Sequence, residues 1–205
     1  IVLHVVRDAG ALFASIRDAY AAGNEADDHY ERALGALVRR GAYQLVRYTG
    51  RWQPIKYPWH VLDVVELLLG EIAEPRIAPD VRLASGAEIT GPVVVEANVR
   101  LFAGARVVGP AYLGAGTILG NHALVRQSMV GPGCVVGIHT EVARSYVGAR
   151  CDFHENYIGD SVIAEHTSFG AGAITGNLRL NERSIRSMVR GCLLYTSDAA
   201  DDLTR

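Results

Sequence analysis

Aliphatic residues recur at every sixth position through the middle of the chain, with small and polar residues between them. The series begins at Ile77, runs without a miss to Val125, and continues with one-residue slips to Phe153. Its members are Ile77, Leu83, Ile89, Val95, Leu101, Val107, Leu113, Leu119, Val125, Val130, Val136, Val142, Val147 and Phe153. A six-residue period fits neither an α-helix nor a simple alternating strand.

This period predicts a parallel β-helix, in which each hexapeptide supplies one short strand and one turn. The aliphatic side chain points inward and stacks on its equivalents in the coils above and below. A small or β-branched residue four places later, such as Ala87 or Thr117, allows the chain to turn the corner. Three hexapeptides make a coil of about 18 residues, so residues 77–177 predict roughly five or six coils that bury their apolar faces by stacking.

Residues 1–75 show a different pattern, that of helices and a strand. Glu25 to Arg40 has apolar residues at helical spacing and is followed by Gly41, which predicts an amphipathic helix. Ala42 to Gly50 predicts a strand. Ile55 to Ile72 predicts a turn at Pro58 and then a helix, with one face formed by Val61, Val64, Val65 and Leu68.

Composition narrows the class of protein. The chain has 205 residues, 49% hydrophobic and 20% charged, as in a soluble globular protein. It has no long apolar run, and its net charge is −2, so we expect neither a membrane nor a nucleic-acid partner. Its three cysteines, Cys134, Cys151 and Cys192, are not spaced for a metal and favour reduced thiols. Together with an N-terminus unlike a signal peptide, this predicts a cytoplasmic location.

The two ends suggest a piece of a longer protein. The sequence begins with Ile1 instead of Met. Its end, CLLYTSDAADDLTR from Cys192 to Arg205, resembles the translation of a sequencing adapter, so we expect residues 191–205 to be a non-native tail.

Two motifs carry a specific resemblance. The stretch FHENYIGDSVIAEHTSFGAGAITGN, from Phe153 to Asn177, contains His-x-x-Tyr-Ile-Gly-Asp, then Gly-Ala-Gly, then Asn. Trp52 to Trp59 forms a Trp-x-x-x-x-x-Pro-Trp segment before the second predicted helix. With the hexapeptides, these resemble the bifunctional sugar-1-phosphate nucleotidylyltransferase/N-acetyltransferases over nearly all of residues 25–190.

The resemblance implies a mainly β fold, a left-handed parallel β-helix preceded by an α/β remnant of a nucleotidyltransferase domain. We expect that remnant in residues 1–58, a connecting helix in 59–75 and the acyltransferase β-helix in 76–190, ahead of the tail. The Gly-rich nucleotide loop of the first domain is absent from the sequence, and the resemblance assigns Mg²⁺ to that missing part.

The same resemblance implies acetyl transfer from acetyl-CoA to the amino group of an amino-sugar 1-phosphate, in a homotrimer with sites between subunits. His154 matches the catalytic base, and an imidazole with an ordinary pKa near 6.5 suits that role. On residue type alone, a capping histidine on the coil surface is the alternative. Substrate contacts are implied for Arg126, Arg144, Tyr157 and Ser168, and acetyl-CoA contacts for Ala171, Ala173 and Asn177.

Several positions depart from the family pattern, among them Asn-Leu-Arg from Asn177, where the family has Asn-Tyr-Asp. Ser168 replaces an asparagine, Ala173 replaces a threonine, and Ala143, beside Arg144, stands where the family keeps a lysine. Two alternatives therefore stay open: a nucleotidylyltransferase whose β-helix only drives oligomerisation, and a non-catalytic scaffold. We expect no metal site, because His122, His139 and His154 fall on different coils without paired carboxylates.

Overall fold

The computed structural model describes residues 5–23, 28–41, 46–177, 181, 185–189 and 192–196. The chain divides into two compact units, Ile1–Arg51 and Trp52–Arg205. Within the described ranges, no helix is long and apolar enough to cross a membrane.

The first unit contains two packed helices, α1 (Ala9–Ala21) and α2 (His29–Arg39). The Ser15 hydroxyl of α1 donates to the Ala33 carbonyl of α2 at 3.0 Å. The helix predicted from Glu25 to Arg40 is confirmed as α2, except that residues 25–27 lie outside the described residues. It is followed by Gly41 at φ 72°, a left-handed backbone that favours glycine. The helix α1 was not predicted.

The strand predicted from Ala42 to Gly50 is not observed over residues 46–50. Residues 46–50 have no strand conformation, and residues 42–45 lie outside the described residues. Val46 and Tyr48 are both exposed. A strand needs a hydrogen-bonded neighbour, and the described part of this unit offers none. High β-propensity alone therefore gave the wrong prediction for residues 46–50.

The second unit opens with α3 (His60–Leu69), preceded by a turn in which the His60 amide donates to the Tyr57 carbonyl at 3.1 Å. The turn and the helix confirm the prediction. The predicted buried face is partly wrong, however, because Leu68 is exposed whereas Val65 and Leu69 are buried. Val65 and Leu69 are four residues apart and therefore lie on the same side of the helix.

Short parallel strands follow α3 through the rest of the described coil region. In chain order they are β1 Arg76–Ile77, β2 Arg82–Leu83, β3 Glu88–Thr90, β4 Val93–Val95, β5 Arg100–Leu101, β6 Arg106–Val108, β7 Ala111–Leu113, β8 Ile118–Leu119, β9 Leu124–Arg126, β10 Met129–Val130, β11 Val135–Val136, β12 Glu141–Ala143, β13 Tyr146–Val147, β14 Asp152–Phe153, β15 Tyr157–Gly159, β16 Val162–Ile163 and β17 Ser168–Phe169.

These strands form three parallel sheets, here called face 1 (β1, β4, β7, β10, β13, β16), face 2 (β2, β5, β8, β11, β14, β17) and face 3 (β3, β6, β9, β12, β15). Each strand pairs with the strand three positions later in the chain, which lies on the same face. Leu83 thus pairs with Leu101, and Leu101 pairs with Leu119. The parallel β-helix of about six coils is therefore confirmed.

The periodic aliphatic residues form interior columns. Leu101 on β5 is 2% exposed, and Leu119 directly above it is fully buried. Leu83, in the same column of the first coil, is 52% exposed. Ile77 on face 1 of that coil is exposed as well. A coil buries its apolar side chains by contact with neighbours on both sides, and the first coil has a neighbouring coil on one side.

The one-residue slips in the period fall at corners. After Val125 the interval from the inward residue of face 3 to that of face 1 is five residues instead of six, as from Val125 to Val130. The turn residues there, Gln127, Arg144 and Asp160, have φ near 50°. This slip shortens the spacing of face-2 partners from 18 residues at Leu83 and Leu101 to 17 at Val136 and Phe153. A second slip, at the corner after Phe153, shortens it to 16 at Phe153 and Phe169.

Buried polar side chains accompany the later corners. Thr117, Cys134 and Cys151 form an interior column in which each group bonds to the next coil. The Cys134 thiol donates to the Gly148 carbonyl at 3.1 Å and accepts from the Cys151 amide at 3.4 Å. Ser145 likewise accepts from the Ser161 amide at 3.0 Å. Cys134 and Cys151 are free thiols, while the side chain of Cys192 lies outside the described residues.

Beyond the coils, β18 (Ile185–Val189) and β19 (Cys192–Thr196) form an antiparallel hairpin. This differs from the expectation that the β-helix continues to residue 190. The two strands are separated by two residues in sequence, so they pair locally at small loop-closure cost. The non-native origin of residues 191–205 stays a prediction.

Burial of Cys134 generates a testable pH dependence. It raises the pKa of this thiol from 9.0 to about 11. The unfolded chain therefore loses the proton first, and the stability due to this thiol is complete below pH 9 and is lost as the pH rises from 9 to 11. We expect Cys134→Ser, whose hydroxyl does not titrate there, to reduce the fall in unfolding free energy over this window by on the order of 2 kcal/mol. Parallel profiles of wild type and variant in urea denaturation would contradict this.

Candidate active site

His154 lies at the corner between faces 2 and 3, directly after β14. This corner has three residues, His154, Glu155 and Asn156, whereas the corner below it has the four residues 137–140. The His154 side chain is exposed, and no described residue hydrogen-bonds to its imidazole. Within the part of the chain that the structure describes, both ring nitrogens are therefore without a hydrogen-bond partner. The capping role that the residue type alone allows has no observed partner among the described residues.

Asn156 supports this corner from inside, and the sequence analysis did not identify it. It is 4% exposed. Its side-chain oxygen accepts from the His154 amide at 2.5 Å. Its side-chain nitrogen donates to the carbonyls of Gly170 and Ala173 at 2.8 and 3.0 Å. One buried amide therefore connects the His154 corner with the corner of the next coil.

The predicted acetyl-CoA residues Ala171 and Ala173 lie at that next corner. Phe153 pairs with Phe169, so Gly170 follows directly above His154. The Gly172 amide donates to the Glu155 carbonyl at 3.1 Å. Ala171 is exposed and Ala173 is half-buried. His154 and both alanines therefore lie on two corners that stack directly on each other.

Ser168 lies on β17, on the other side of this corner. It pairs with Asp152 of β14 and is exposed on face 2. Tyr157 begins β15 on face 3. The predicted sugar-binding residues Ser168 and Tyr157 therefore lie on different faces of the same subunit, with the His154 corner between them.

A second polar cluster lies at the far end of face 3. Arg144 donates from Nε and Nη2 to the two oxygens of Asp160, both at 2.7 Å. This pairing with Asp160 raises the pKa of the Arg144 guanidinium. Asn177 donates to Asp160 and to the Tyr157 hydroxyl. Asn177, expected near acetyl-CoA, thus lies with the residues expected to hold the sugar phosphate.

Gly159 makes room for this cluster. A Cβ atom at residue 159 would lie 2.6 Å from the Tyr157 hydroxyl oxygen and 2.7 Å from the side-chain nitrogen of Asn177. The Tyr157 side chain therefore extends along face 3, from near the His154 corner towards Asp160. Tyr157 therefore lies between the His154 corner and the cluster of Arg144, Asp160 and Asn177.

Arg126 is also paired. Its Nε donates to Glu141 at 2.7 Å, and both side chains are partly exposed. The two arginines expected to bind phosphate are therefore each in contact with a carboxylate. Asp160 belongs to the sequence motif, but no pattern in the sequence indicated Glu141.

The histidines of the lower coils form a stack of their own. The rings of His122 and His139 lie with centroids 5.6 Å apart, on successive coils. In the parts of the chain that the structure covers, no group of three or more metal-ligating side chains occurs.

Close backbone approach under His154 generates a testable prediction. A Cβ on Gly137 would lie 2.3 Å from the Phe153 carbonyl oxygen and 3.3 Å from the His154 Cα. Gly137→Ala should therefore destabilise the fold by about 1–3 kcal/mol. Gly170 occupies the same column, but a Cβ there meets no atom of the described residues within 4 Å. Gly170→Ala should stay within about 0.5 kcal/mol of wild type. Equal effects in chemical denaturation would contradict the close approach.

The sequence of this chain is similar to those of several known proteins. No protein-family model matches the chain. A "Bifunctional sugar-1-phosphate nucleotidylyltransferase/acetyltransferase" from Sulfurisphaera tokodaii is 29% identical over 175 residues, which cover 78% of this chain and 40% of that protein. The "Bifunctional protein GlmU" of Methanococcus vannielii is 30% identical over 161 residues, covering 78% of this chain and 38% of that protein.

Among solved structures, the acetyltransferase domain of PglB from Neisseria gonorrhoeae is similar, with a TM-score of 0.41 and 20% identity over 54% of this chain and 53% of that one. The resemblance to the bifunctional nucleotidylyltransferase/acetyltransferases is confirmed by the curated relatives. The chain spans about 40% of the length of those relatives.

Proposed function

We propose that this chain transfers an acetyl group from acetyl-CoA to the amino group of an amino-sugar 1-phosphate, with His154 as general base. The observation that carries this proposal is the exposed imidazole of His154, directly below the Gly170–Ala173 corner and without a hydrogen-bond partner among the described residues. The names of the curated relatives support both the acetyl transfer and the sugar 1-phosphate.

The reaction needs a neutral amine, because an ammonium group has no lone pair for attack. The amine nitrogen forms a bond with the thioester carbonyl carbon, and His154 accepts the proton that the nitrogen loses. The tetrahedral intermediate then breaks its carbon–sulfur bond. The thiolate of CoA leaves and takes up a proton. The products are the N-acetyl sugar phosphate and CoA, and no covalent enzyme intermediate forms.

The negative oxygen of the tetrahedral intermediate requires hydrogen-bond donors. The amides of Gly172 and Ala173 already donate within the fold, to Glu155 and Gly170. We therefore assign this role to the backbone amides of Gly170 and Ala171, whose corner lies next to His154. The CoA chain would run along Ala171 and Ala173.

Substrate recognition is assigned to Arg126, Arg144 and Tyr157, with Ser168 facing the sugar from a neighbouring surface. A guanidinium group carries five N–H donors. An arginine that bonds one carboxylate thus keeps donors for a phosphate. Because Ser168 and Tyr157 lie on different faces of one subunit, the proposal includes a homotrimer that completes each site between subunits.

In the whole protein, we place this reaction in a cytoplasmic bifunctional enzyme that makes nucleotide-activated N-acetyl amino sugars, as in UDP-N-acetylglucosamine biosynthesis. The second candidate is a nucleotidylyltransferase whose β-helix only drives oligomerisation. The ion pairs of Arg126 with Glu141 and of Arg144 with Asp160 favour that alternative, because each carboxylate competes with a phosphate.

Replacing His154 tests the base. His154→Ala should lower the rate of CoA thiol release by about 10²-fold, the usual scale for a general base. The side chain is exposed, so the unfolding free energy should stay unchanged. The matched control is His166→Ala, which removes an exposed imidazole at another corner. The measurement is thiol release from acetyl-CoA with glucosamine 1-phosphate and with galactosamine 1-phosphate.

Two outcomes would contradict the proposal. Near-normal acetylation by His154→Ala would remove His154 from the mechanism. A folded wild-type chain that releases no thiol with either sugar phosphate would exclude acetyl transfer by this chain and favour the oligomerisation module.

Replacing Arg126 tests phosphate recognition. Arg126→Gln should raise the KM for glucosamine 1-phosphate by about tenfold, since a charge-assisted contact is lost, and leave the KM for acetyl-CoA unchanged. Arg106→Gln is the control, because Arg106 also pairs with a glutamate on face 3, Glu88, at 3.2 Å. A similar change in both variants would argue against a phosphate contact at Arg126.

A further inference from the structure

We propose that Asn156 is a positioning residue that sets the place of His154 relative to the Gly170–Ala173 corner; this rests on the proposed function. Asn156 is buried beneath the corner, so it acts on the reaction through His154 and not by touching the substrate. Its amide group bonds on one side to the His154 backbone and on the other to the next coil.

The first reason is a change in the ladder of backbone hydrogen bonds at His154. In the two coils below, the residue of this column donates straight upward: Gly120 to Val136 at 2.7 Å and Gly137 to Phe153 at 2.9 Å. The His154 amide instead donates to the Asn156 side chain. The backbone amide of His154 is therefore bonded to the Asn156 side chain, whereas the amides of the equivalent glycines are bonded to the backbone of the next coil.

The second reason is the length of the corner. In the coil below, the turn closes when the Thr140 amide donates to the Gly137 carbonyl at 3.3 Å. The His154 corner is one residue shorter. The Asn156 backbone amide donates instead to the Thr140 hydroxyl at 3.1 Å, which leaves the side chain to close the corner. Ala123 and Thr140, in the same column of longer corners, have no side-chain amide and need none.

The third reason is the connection to the opposite wall of the proposed site. Asn156 donates to both Gly170 and Ala173, whose carbonyls mark the two ends of the upper corner. A carboxamide can accept one hydrogen bond and donate two at once. One side chain thus sets the distance between the base and the backbone assigned to the acetyl group. Misplacement of a reacting group by about 1 Å can cost on the order of 10²-fold in rate.

The test compares Asn156→Ala with Thr117→Val. Thr117 is a buried polar residue at a different corner, where its hydroxyl donates to the Gly131 carbonyl at 2.9 Å and accepts from the Cys134 amide at 3.4 Å. Both variants should lower the melting temperature. We expect Asn156→Ala alone to lower kcat for thiol release by about tenfold or more, with KM for both substrates within about twofold of wild type.

A conservative variant separates the two halves of the amide. Asn156→Asp keeps an oxygen that can accept from His154 but loses both donors to the upper corner. By hydrogen exchange, the His154 amide should stay protected in Asn156→Asp and exchange faster in Asn156→Ala.

Each result decides the proposal. Equal kcat losses in Asn156→Ala and Thr117→Val, or an unchanged kcat in Asn156→Ala, would overturn the proposal. Asn156 would then be a buried polar residue that only stabilises the fold. If the wild-type chain releases no thiol from acetyl-CoA, the proposed function is wrong, but the positioning role can still be tested. In that case the His154 amide exchange and the NMR shift of its imidazole decide. Changes in Asn156→Ala but not in Thr117→Val would uphold the positioning role, and no change would end it.

Discussion

The stacking of one coil on the next is the interaction on which the structure depends. A single hexapeptide has too little apolar surface to fold by itself, so its inward aliphatic residue is buried when equivalent residues lie above and below it. The contrast between exposed Leu83 in the first coil and buried Leu101 in the second shows this directly. The same stacking brings His154 beneath Gly170, because Phe153 and Phe169 occupy one column.

The interior is not uniformly apolar, and its polar side chains follow the corners. Buried Thr117, Ser145 and Asn156 all bond to backbone groups of an adjacent coil. A buried donor or acceptor without a partner is costly, so these bonds let the chain turn sharply without that cost. Ser145 and Asn156 lie at corners where the period slips, whereas Thr117 lies at a corner that keeps four residues in successive coils.

The six-residue period was sufficient to predict the fold, because it assigns each aliphatic residue to a column before any contact is known. The motif from His154 to Asn177 covers two successive corners of the coil, and the roles of its residues stay predictions. Contacts between coils were not predictable. Glu141 meets Arg126 across 15 residues, and Asn156 meets Gly170 across 14. Such distances depend on corner lengths, which a period alone does not give. Helix α1 was not predicted, and the predicted face of α3 included exposed Leu68 in place of its buried neighbour Leu69.

The taper from 18 to 16 residues per turn makes the coils non-interchangeable. In an array of equal units, a duplicated segment can be inserted anywhere and still fit both neighbours. Here an extra turn copied from the wide end would match the rungs around Leu83 and Leu101, but it would leave surplus chain at the narrow end. A duplicated coil from the wide end therefore fits its neighbours there without change, whereas at the other end its corners would have to be shortened.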